Sequence, residues 1–439
     1  MLTVAKFGGS SLSSRQQFEK VKTIINSDLN RRVVVVSAIG RKEKSDDKVT
    51  DLLYLISAHI EHRVSYEELW ENFSQRFRDL KSELGLTYDI ELALQELRAE
   101  IESENLPEDY LVSRGENFTA NLMADYLSFE FVDAAEVIIF NSQGEIDLEA
   151  SGHHLLERLD PTKKYVIPGF YGAFENGTIR LMSRGGSDIT GAILSSCLQA
   201  NKYENWTDVS GVLKADPSIV ENPMSTAELT YDELSELSYM GASVLHEETI
   251  YPIRALDIPL FIKNTNAPND EGSVILRRHK KTPDLIAGIS GKKNYLSINI
   301  IKGQMSSEKG FLQKTLKIFQ DYSINIEHIP TGINQVGIIL EAKEVENKLL
   351  SLLESLQEEL KPEELTVREQ ISLLSIVGEV LIKDSHLTER IFSALARKNI
   401  EIEMIAQSPR SLNIILGVQD QFYQEAIRVI YDELVSKSL

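Results

Sequence analysis

The sequence predicts an α/β protein, with a layered domain around a central, mainly parallel sheet followed by two smaller α+β units. Three observations carry this expectation. Continuous apolar runs that end in small residues, clearest at Val33 to Ile39, suit parallel strands buried on both faces. Two glycine-rich turns each join a strand-like run to a helical pattern. Beyond residue 283 an apolar pattern recurs 76 residues on, so that Ile298, Ile300, Phe311 and Phe319 return as Leu374, Ile376, Leu387 and Leu395.

Taken in order, Leu2 to Ala5 reads as the first strand and leads into Lys6-Phe7-Gly8-Gly9-Ser10-Ser11. Glycines let the backbone approach an anion, and amides at a helix N-terminus point at it with a favourable dipole. The second strand, Val33 to Ile39, places Ser37 near its end. The charged loop Gly40 to Lys48, flexible enough by composition for a lid, leads into a helix at Val49-Thr50-Asp51. Residues 56–105 read as charged helices in which Trp70, Phe73 and Phe77 form an apolar stripe, expected to pack a solvated helical layer on the sheet. Val137 to Phe140, Tyr165 to Pro168 and Ile258 to Ile262 read as further buried strands. Thr178 to Met182 is strand-like and leads into Ser183-Arg184-Gly185-Gly186-Ser187-Asp188. Ligands gather beyond the carboxyl ends of such strands, so Lys6, Ser37 and Arg184 are expected just past strand ends on one rim. The first domain should end near the charged, proline-closed stretch Arg277 to Pro283, giving boundaries of 1–282, 283–365 and 366–439. Each C-terminal unit reads strand, helix, strand, strand, helix.

Composition narrows the function. At 439 residues the chain is too long for one ordinary core, and 42% hydrophobic with 26% charged residues is a globular composition. A net charge of −21 argues against nucleic acid or an anionic membrane as partner. An anionic substrate must then be drawn in by local Lys and Arg. The single cysteine, Cys197, lies in an apolar helical stretch and is expected to be a small core residue. No apolar run nears about eighteen residues, and a reducing, cytoplasmic setting is expected. Neither glycine turn is a Walker A loop, and no G-x-G-x-x-G run supports a dinucleotide. His59 and His62, the pair His153-His154, and His246-Glu247-Glu248 (with Ile250 where a second zincin His would stand) leave no protein-held metal site expected. Two anion-cradling turns, one with a Lys and the other with an Arg and an Asp, suit phosphoryl transfer between two anionic partners.

Four motifs in order, Lys6 to Ser11, Ser113-Arg114-Gly115-Glu116, Ser183 to Asp188 and Trp206-Thr207-Asp208-Val209-Ser210-Gly211, resemble the signature of aspartokinases, members of the amino-acid kinase fold. The likeness runs over nearly the whole chain. The two repeats are similar to ACT domains, the amino-acid-sensing modules of that family, in which one unit is inserted into the other. Residues 284–290 are therefore expected to complete the second unit. The resemblance implies ATP-dependent phosphorylation of the L-aspartate β-carboxylate with Mg²⁺, under feedback by lysine or, next, threonine, without a fused homoserine dehydrogenase. It implies that Lys6 stabilises the transferring group, that Gly8, Gly9 and Ser10 approach the phosphates, and that Asp188 orients Lys6 or the metal-nucleotide. Arg184 and Gly185 would take the substrate α-carboxylate, Glu116 its ammonium, and Ser37 and Thr50 a carboxylate. Thr207, Asp208, Leu213 and Asp216 would face the nucleotide. Leu213, Ser218 and Ser243 depart from the aromatic, Arg and Lys common there, and Lys214 is a candidate to replace one charge. Met305, Ser307, Phe311 and Leu312, opposite Ile326, Glu327 and Thr331, would bind the effector at an ACT–ACT interface of a homodimer or dimer of dimers. N-acetylglutamate or glutamate kinase and a non-catalytic amino-acid sensor are the competing readings.

Overall fold

The apolar run at Val33 becomes an interior strand of an eight-stranded sheet in the computed structural model, which describes residues 1–43, 45–103, 106–183, 185–242, 245, 249–409 and 411–436. The chain divides into two units. The first comprises Met1–Val212, Ser225–Tyr231 and Val244–Lys280, and the second Leu213–Met224, Asp232–Ser243 and Lys281–Leu439.

The N-terminal part runs β1 (Thr3–Phe7), α1 (Arg15–Asn26), β2 (Arg31–Val36), α2 (Val49–Glu61), α3 (Glu67–Leu84), α4 (Ile90–Glu102), α5 (Glu108–Leu127), β3 (Glu130–Phe131), α6 (Ala134–Val137), β4 (Ile139–Phe140), α7 (Leu148–Arg158), β5 (Tyr165–Pro168), β6 (Tyr171–Phe174), β7 (Ile179–Leu181), α8 (Gly186–Cys197) and β8 (Lys202–Thr207). Then follow β9 (Val212–Leu213), β10 (Ser225–Thr226), β11 (Glu228–Thr230), α9 (Tyr231–Tyr239), α10 (Tyr251–Arg254), β12 (Leu260–Asn264) and β13 (Ser273–Leu276). The main sheet has the order β11-β13-β12-β8-β1-β2-β5-β3, and only the β12–β13 pair is antiparallel among its described pairings. Val33 to Val36 are at most 3% exposed, which is why this strand reads as an unbroken apolar run rather than an alternating one. Trp70, Phe73 and Phe77 are buried, but their stripe meets α5, with Phe77 edge to face on Phe118 at 5.6 Å.

Two expected strands come out differently. Val137 ends the short helix α6, and only Ile139–Phe140 is extended. The side chain of Asp133 accepts from the Ala135 amide at 2.9 Å and starts a helical turn there, a local cap that outweighs the apolar run. β7, which precedes the second glycine turn, lies with β4 and β6 in a separate three-stranded sheet. The rim is therefore assembled from two sheets, and Lys6 lies inside β1 rather than past its end. Cys197 is half-buried at the end of α8, its Sγ donating to the Leu148 carbonyl at 3.4 Å, and burial pushes the thiol up to about 11. Among the described residues no helix is long and apolar enough to cross a membrane.

The second unit contains β14 (Gly288–Ile301), α11 (Phe311–Asp321), β15 (Gln335–Glu341), α12 (Leu349–Leu360), β16 (Glu364–Val377), α13 (Glu379–Lys383), α14 (Ser385–Arg397), β17 (Met404–Ala406), β18 (Asn413–Gln419) and α15 (Tyr423–Leu434). One antiparallel sheet, ordered β15-β14-β16-β18-β17, serves both repeats. Its two long strands are shared, because Ser297–Ile301 pairs with Glu364–Arg368 while Gly288–Lys292 pairs with Leu373–Val377. Ile286 and Ile289 accordingly sit in the core of the second repeat with Leu374, Leu395 and Ile427. The first repeat lacks a regular middle strand, which is reduced to bridges at His328 and Thr331. Ala215, Ile219 and Val220, far earlier in sequence, join the second repeat's core, and Arg428 donates to the Ile219 carbonyl at 2.7 Å.

Candidate active site

A cleft of about 850 Å³ in the first unit gathers Lys6, Ser37, Thr50, Glu116, Gly185 and Asp188. Lys6 projects from β1, buried, with its Nζ 2.5 Å from Asp188 Oδ1. The register of β1 on β8 sets Asn205 beside Lys6, and its Nδ2 donates to the same Asp188 oxygen at 2.9 Å. Asp188 occupies the first turn of α8, where the helix dipole favours a carboxylate. Lys6 is thus held by an acid that is itself held twice.

The turn into α8 is tightly built. Gly185 caps the helix with φ 80°, a left-handed conformation that favours glycine. A Cβ on Gly186 would stand 2.7 Å from the Phe170 ring. Phe170 also lines the cleft and has φ 78°, an outlier for an aromatic residue. Its amide donates to Thr190 Oγ1 at 3.1 Å and its carbonyl accepts from Met182 at 2.8 Å. Sequence reasoning missed Phe170, Lys48 and Tyr54, all of which line the cleft. The position of Phe170 two residues beyond β5, at a parallel strand's carboxyl end, was the available signal.

The first glycine turn departs from expectation. Gly9–Leu12 form a single 3₁₀ turn, and α1 begins only after Ser14, whose hydroxyl caps it by accepting from the Gln17 amide at 3.4 Å. Gly8 is close to the cationic end of Lys6, since a Cβ there would lie 3.6 Å from Nζ. Ser10 is exposed on the turn. Gly9 is clamped by Gly40, where a Cβ would stand 2.2 Å from the Gly9 carbonyl oxygen. Gly40→Ala should therefore cost about 1–3 kcal/mol and disturb the first glycine turn. A urea midpoint and an ATP KM both unchanged from wild type would remove this contact from the design of the site.

Glu116 lies in the middle of the twenty-residue α5, not at a helix N-terminus. Gly115 lets α5 approach α2, because a Cβ would be 3.0 Å from Val49 Cγ1. Glu116 is buried, and its Oε2 has no hydrogen-bond partner among the described residues. Burial pushes its carboxyl up to about 8, against the lowering effect of a hydrogen bond from the Ala38 backbone. Ser37, the residue after β2, is fixed by donating its amide hydrogen bond to the Phe7 carbonyl at 3.1 Å, and Thr50 sits in the first turn of α2. Arg184 lies outside the described residues, as do Ser243 and His246-Glu247-Glu248.

The expected nucleotide residues are not in this cleft. Thr207 ends β8, its hydroxyl donating to Asp208 Oδ1 at 3.2 Å. Leu213 and Asp216 group with the second unit, where Asp216 Oδ1 accepts from the Ser218 amide at 2.8 Å. Lys214 is committed to Asp284 at 2.8 Å, so its charge is already neutralised.

Of the expected effector residues, Met305 and Phe311 are buried in the core of the first repeat, with Ile326 partly buried against it. Ser307 Oγ donates to the Gln304 carbonyl at 2.8 Å, Leu312 is exposed, and Thr331 bridges Val336. Glu327 Oε2 accepts from Tyr239 Oη at 2.7 Å. His59 Nδ1 contacts the Ser65 carbonyl and His154 Nδ1 the Glu136 carbonyl. Among the described residues no three His, Cys, Asp or Glu converge on a metal position.

Comparison with known proteins agrees with this architecture. The amino acid kinase family model matches residues 1–264, and an ACT domain model matches residues 374–434. Aspartokinase 3 of Bacillus subtilis (strain 168) is 36% identical over 446 residues, covering 98% of each chain. Lysine-sensitive aspartokinase 3 of Escherichia coli (strain K12) is 26% identical over 455 residues, covering 99% of each. The crystal structure of Clostridium acetobutylicum aspartate kinase superposes with a TM-score of 0.88 at 41% identity, covering 99% of each chain. With a family model over more than half its length and relatives aligned end to end, the chain belongs to the aspartokinases of the amino acid kinase family.

Proposed function

We propose that this aspartokinase transfers the γ-phosphoryl group of ATP to the β-carboxylate of L-aspartate, giving 4-phospho-L-aspartate, and that lysine rather than threonine restrains it. The catalytic half rests on one observation, the cleft shared by the Lys6–Asp188 pair and a buried Glu116 with one unpartnered carboxylate oxygen. A carboxylate nucleophile, with a reference pKa of about 3.9, is ionised at neutral pH and needs no general base. What remains is to neutralise and align two anions. Lys6 meets the transferring phosphoryl group, and the amides of Gly8, Gly9 and Ser10 approach the phosphates. Arg184 takes the α-carboxylate as a two-pronged donor beside the Gly185 amide. Glu116 takes the ammonium, while Ser37 and Thr50 hold a carboxylate through their hydroxyls. Thr207, Asp208, Leu213 and Asp216 serve the nucleoside end.

Asp188, which lines the cleft from the first turn of α8, offers the kind of oxygen donor that Mg²⁺ takes, an ion that keeps waters and draws most of its ligands from nucleotide phosphates. When bound, such an ion would supply charge neutralisation of those phosphates. Trapping the product with hydroxylamine tests the reading. Aspartyl hydroxamate should form with ATP and aspartate, and not with glutamate or N-acetylglutamate; no hydroxamate from aspartate would sink it.

Lysine is favoured because Glu327 offers a carboxylate to a side-chain ammonium, and because a 26% identical relative is named lysine-sensitive. An inhibitor must bind the inactive state more tightly, since equal affinity shifts nothing. Glu327→Ala should raise the half-inhibitory lysine concentration about tenfold or more, as loss of a charge-assisted bond requires. Undiminished lysine inhibition in the variant would exclude Glu327, and inhibition by threonine alone would reverse the choice of effector. The ACT units are proposed to form a homodimer or dimer of dimers, which light scattering on the purified chain measures.

A further inference from the structure

We propose that Lys48 is a further aspartate-binding residue, whose ammonium draws in and neutralises the carboxylate that Thr50 holds. The inference rests on the functional reading above and adds a residue to it. Lys48 lines the same cleft as Lys6, Thr50, Glu116 and Asp188. Lys6 is already committed to Asp188. On the loop that carries Lys48, Arg41 is 3.8 Å from Asp51, and Lys42 is 3.9 Å from Asp79 and 3.8 Å from Glu83. Lys48 makes no ion pair among the described residues. An exposed lysine is ordinarily a solvated charge, but this one stands where a cation is needed. Among the described residues of the cleft the ammonium groups are those of Lys6 and Lys48, and with Lys6 paired to Asp188 the Lys48 ammonium is the one left to meet an incoming carboxylate. The chain as a whole carries −21, so no general field attracts an acidic substrate.

The backbone here is placed rather than merely nearby. Asp46 Oδ2 accepts from the amides of Lys42 and Glu43 at 3.0 Å each, and Arg76 Nη1 donates to the Asp47 carbonyl at 2.7 Å. The Lys48 carbonyl then accepts from the Leu52 amide at 3.0 Å, making Lys48 the N-cap of the thirteen-residue α2. An ammonium at that position adds to the helix-end amides and dipole, which already favour an anion at Thr50. The carboxylate, and not the nucleotide, is the assigned partner because Lys48 precedes Thr50 by two residues, whereas the phosphate turn follows β1.

The test compares wild type, Lys48→Met, Lys48→Arg and the control Lys42→Met in the full chain, using hydroxamate formation. Lys48→Met should raise KM for aspartate about tenfold, the effect of about 1.4 kcal/mol, with KM for ATP within about twofold. Its kcat/KM for aspartate should also depend less on ionic strength than that of wild type. Lys48→Arg should recover most of the loss, and Lys42→Met should match wild type. The inference is overturned if Lys48→Met leaves the aspartate KM unchanged, raises only the ATP KM, or is matched by Lys42→Met, which would make the effect one of overall charge. Equal urea midpoints confirm that the variants are folded. A wild type that forms no aspartyl hydroxamate fails the functional reading itself, whereas an active wild type indistinguishable from Lys48→Met fails this inference alone.

Discussion

Replacing Lys6 by alanine is expected to lower kcat by about a hundredfold to a thousandfold, the usual loss when one preorganised donor aimed at transition-state charge is removed. The geometry explains why so much should rest on one side chain. Lys6 is buried in a central strand, its ammonium fixed by Asp188, and Asp188 is fixed in turn by Asn205 and by its place in α8. A cation held this way needs no reorganisation when charge develops beside it. The same linkage predicts non-additivity. Asp188→Ala should also be severely impaired, yet the double variant should be little worse than Lys6→Ala, because the two residues act as one unit. The fold should survive, since the unpaired Asp188 retains Asn205 and the helix dipole. Steady-state kinetics with a urea titration separates the two effects. A folded Lys6→Ala chain with near wild-type kcat would take Lys6 out of the mechanism.

The features legible in the sequence were those fixed by local physics. Val33 to Val36 announce a strand covered on both faces because nothing polar interrupts them, and the apolar repeat marks two similar C-terminal units, while their sharing of β14 and β16 was expected only from the family resemblance. Six expected site residues from Lys6 to Asp188 reach one cleft, most of them because strand ends and helix starts meet there. What stayed hidden was non-local or a matter of backbone conformation. The stretch containing Ala215 and Ile219 reads as a nucleotide loop, and only its burial against residues some two hundred positions later assigns it to the second unit. Phe170 gives no hint of φ 78°, because aromatic residues rarely adopt it. Lys48 sat in a charged loop whose composition points to solvation or a lid and not to substrate binding, and Val137 was drawn into a helix by a cap four residues upstream.

Glu116→Gln should raise KM for aspartate by about a hundredfold and remove a pH dependence that wild type should show. In the free protein, burial pushes the Glu116 carboxyl from 4.5 up to about 8, so it is mostly protonated at pH 7. An incoming ammonium favours the ionised form, so binding aspartate should release a proton. Affinity for aspartate should therefore improve as pH rises from 6 and level off near 8, by at most about tenfold per pH unit. Stability must run the other way. A carboxyl whose pKa is raised on folding binds its proton more tightly in the native state, and contributes stability that is fully present below about pH 4.5. That contribution is lost as pH climbs towards 8, where the buried Oε2 must carry charge with no hydrogen-bond partner among the described residues. Glutamine keeps the shape and cannot ionise, so the variant should gain resistance to urea relative to wild type at pH 8.5 and little or none at pH 4.5. Aspartate affinity with the same pH slope in both proteins would refute the assignment of Glu116 to the ammonium. An equal urea midpoint difference at both pH values would show that the carboxyl is not held protonated by its burial.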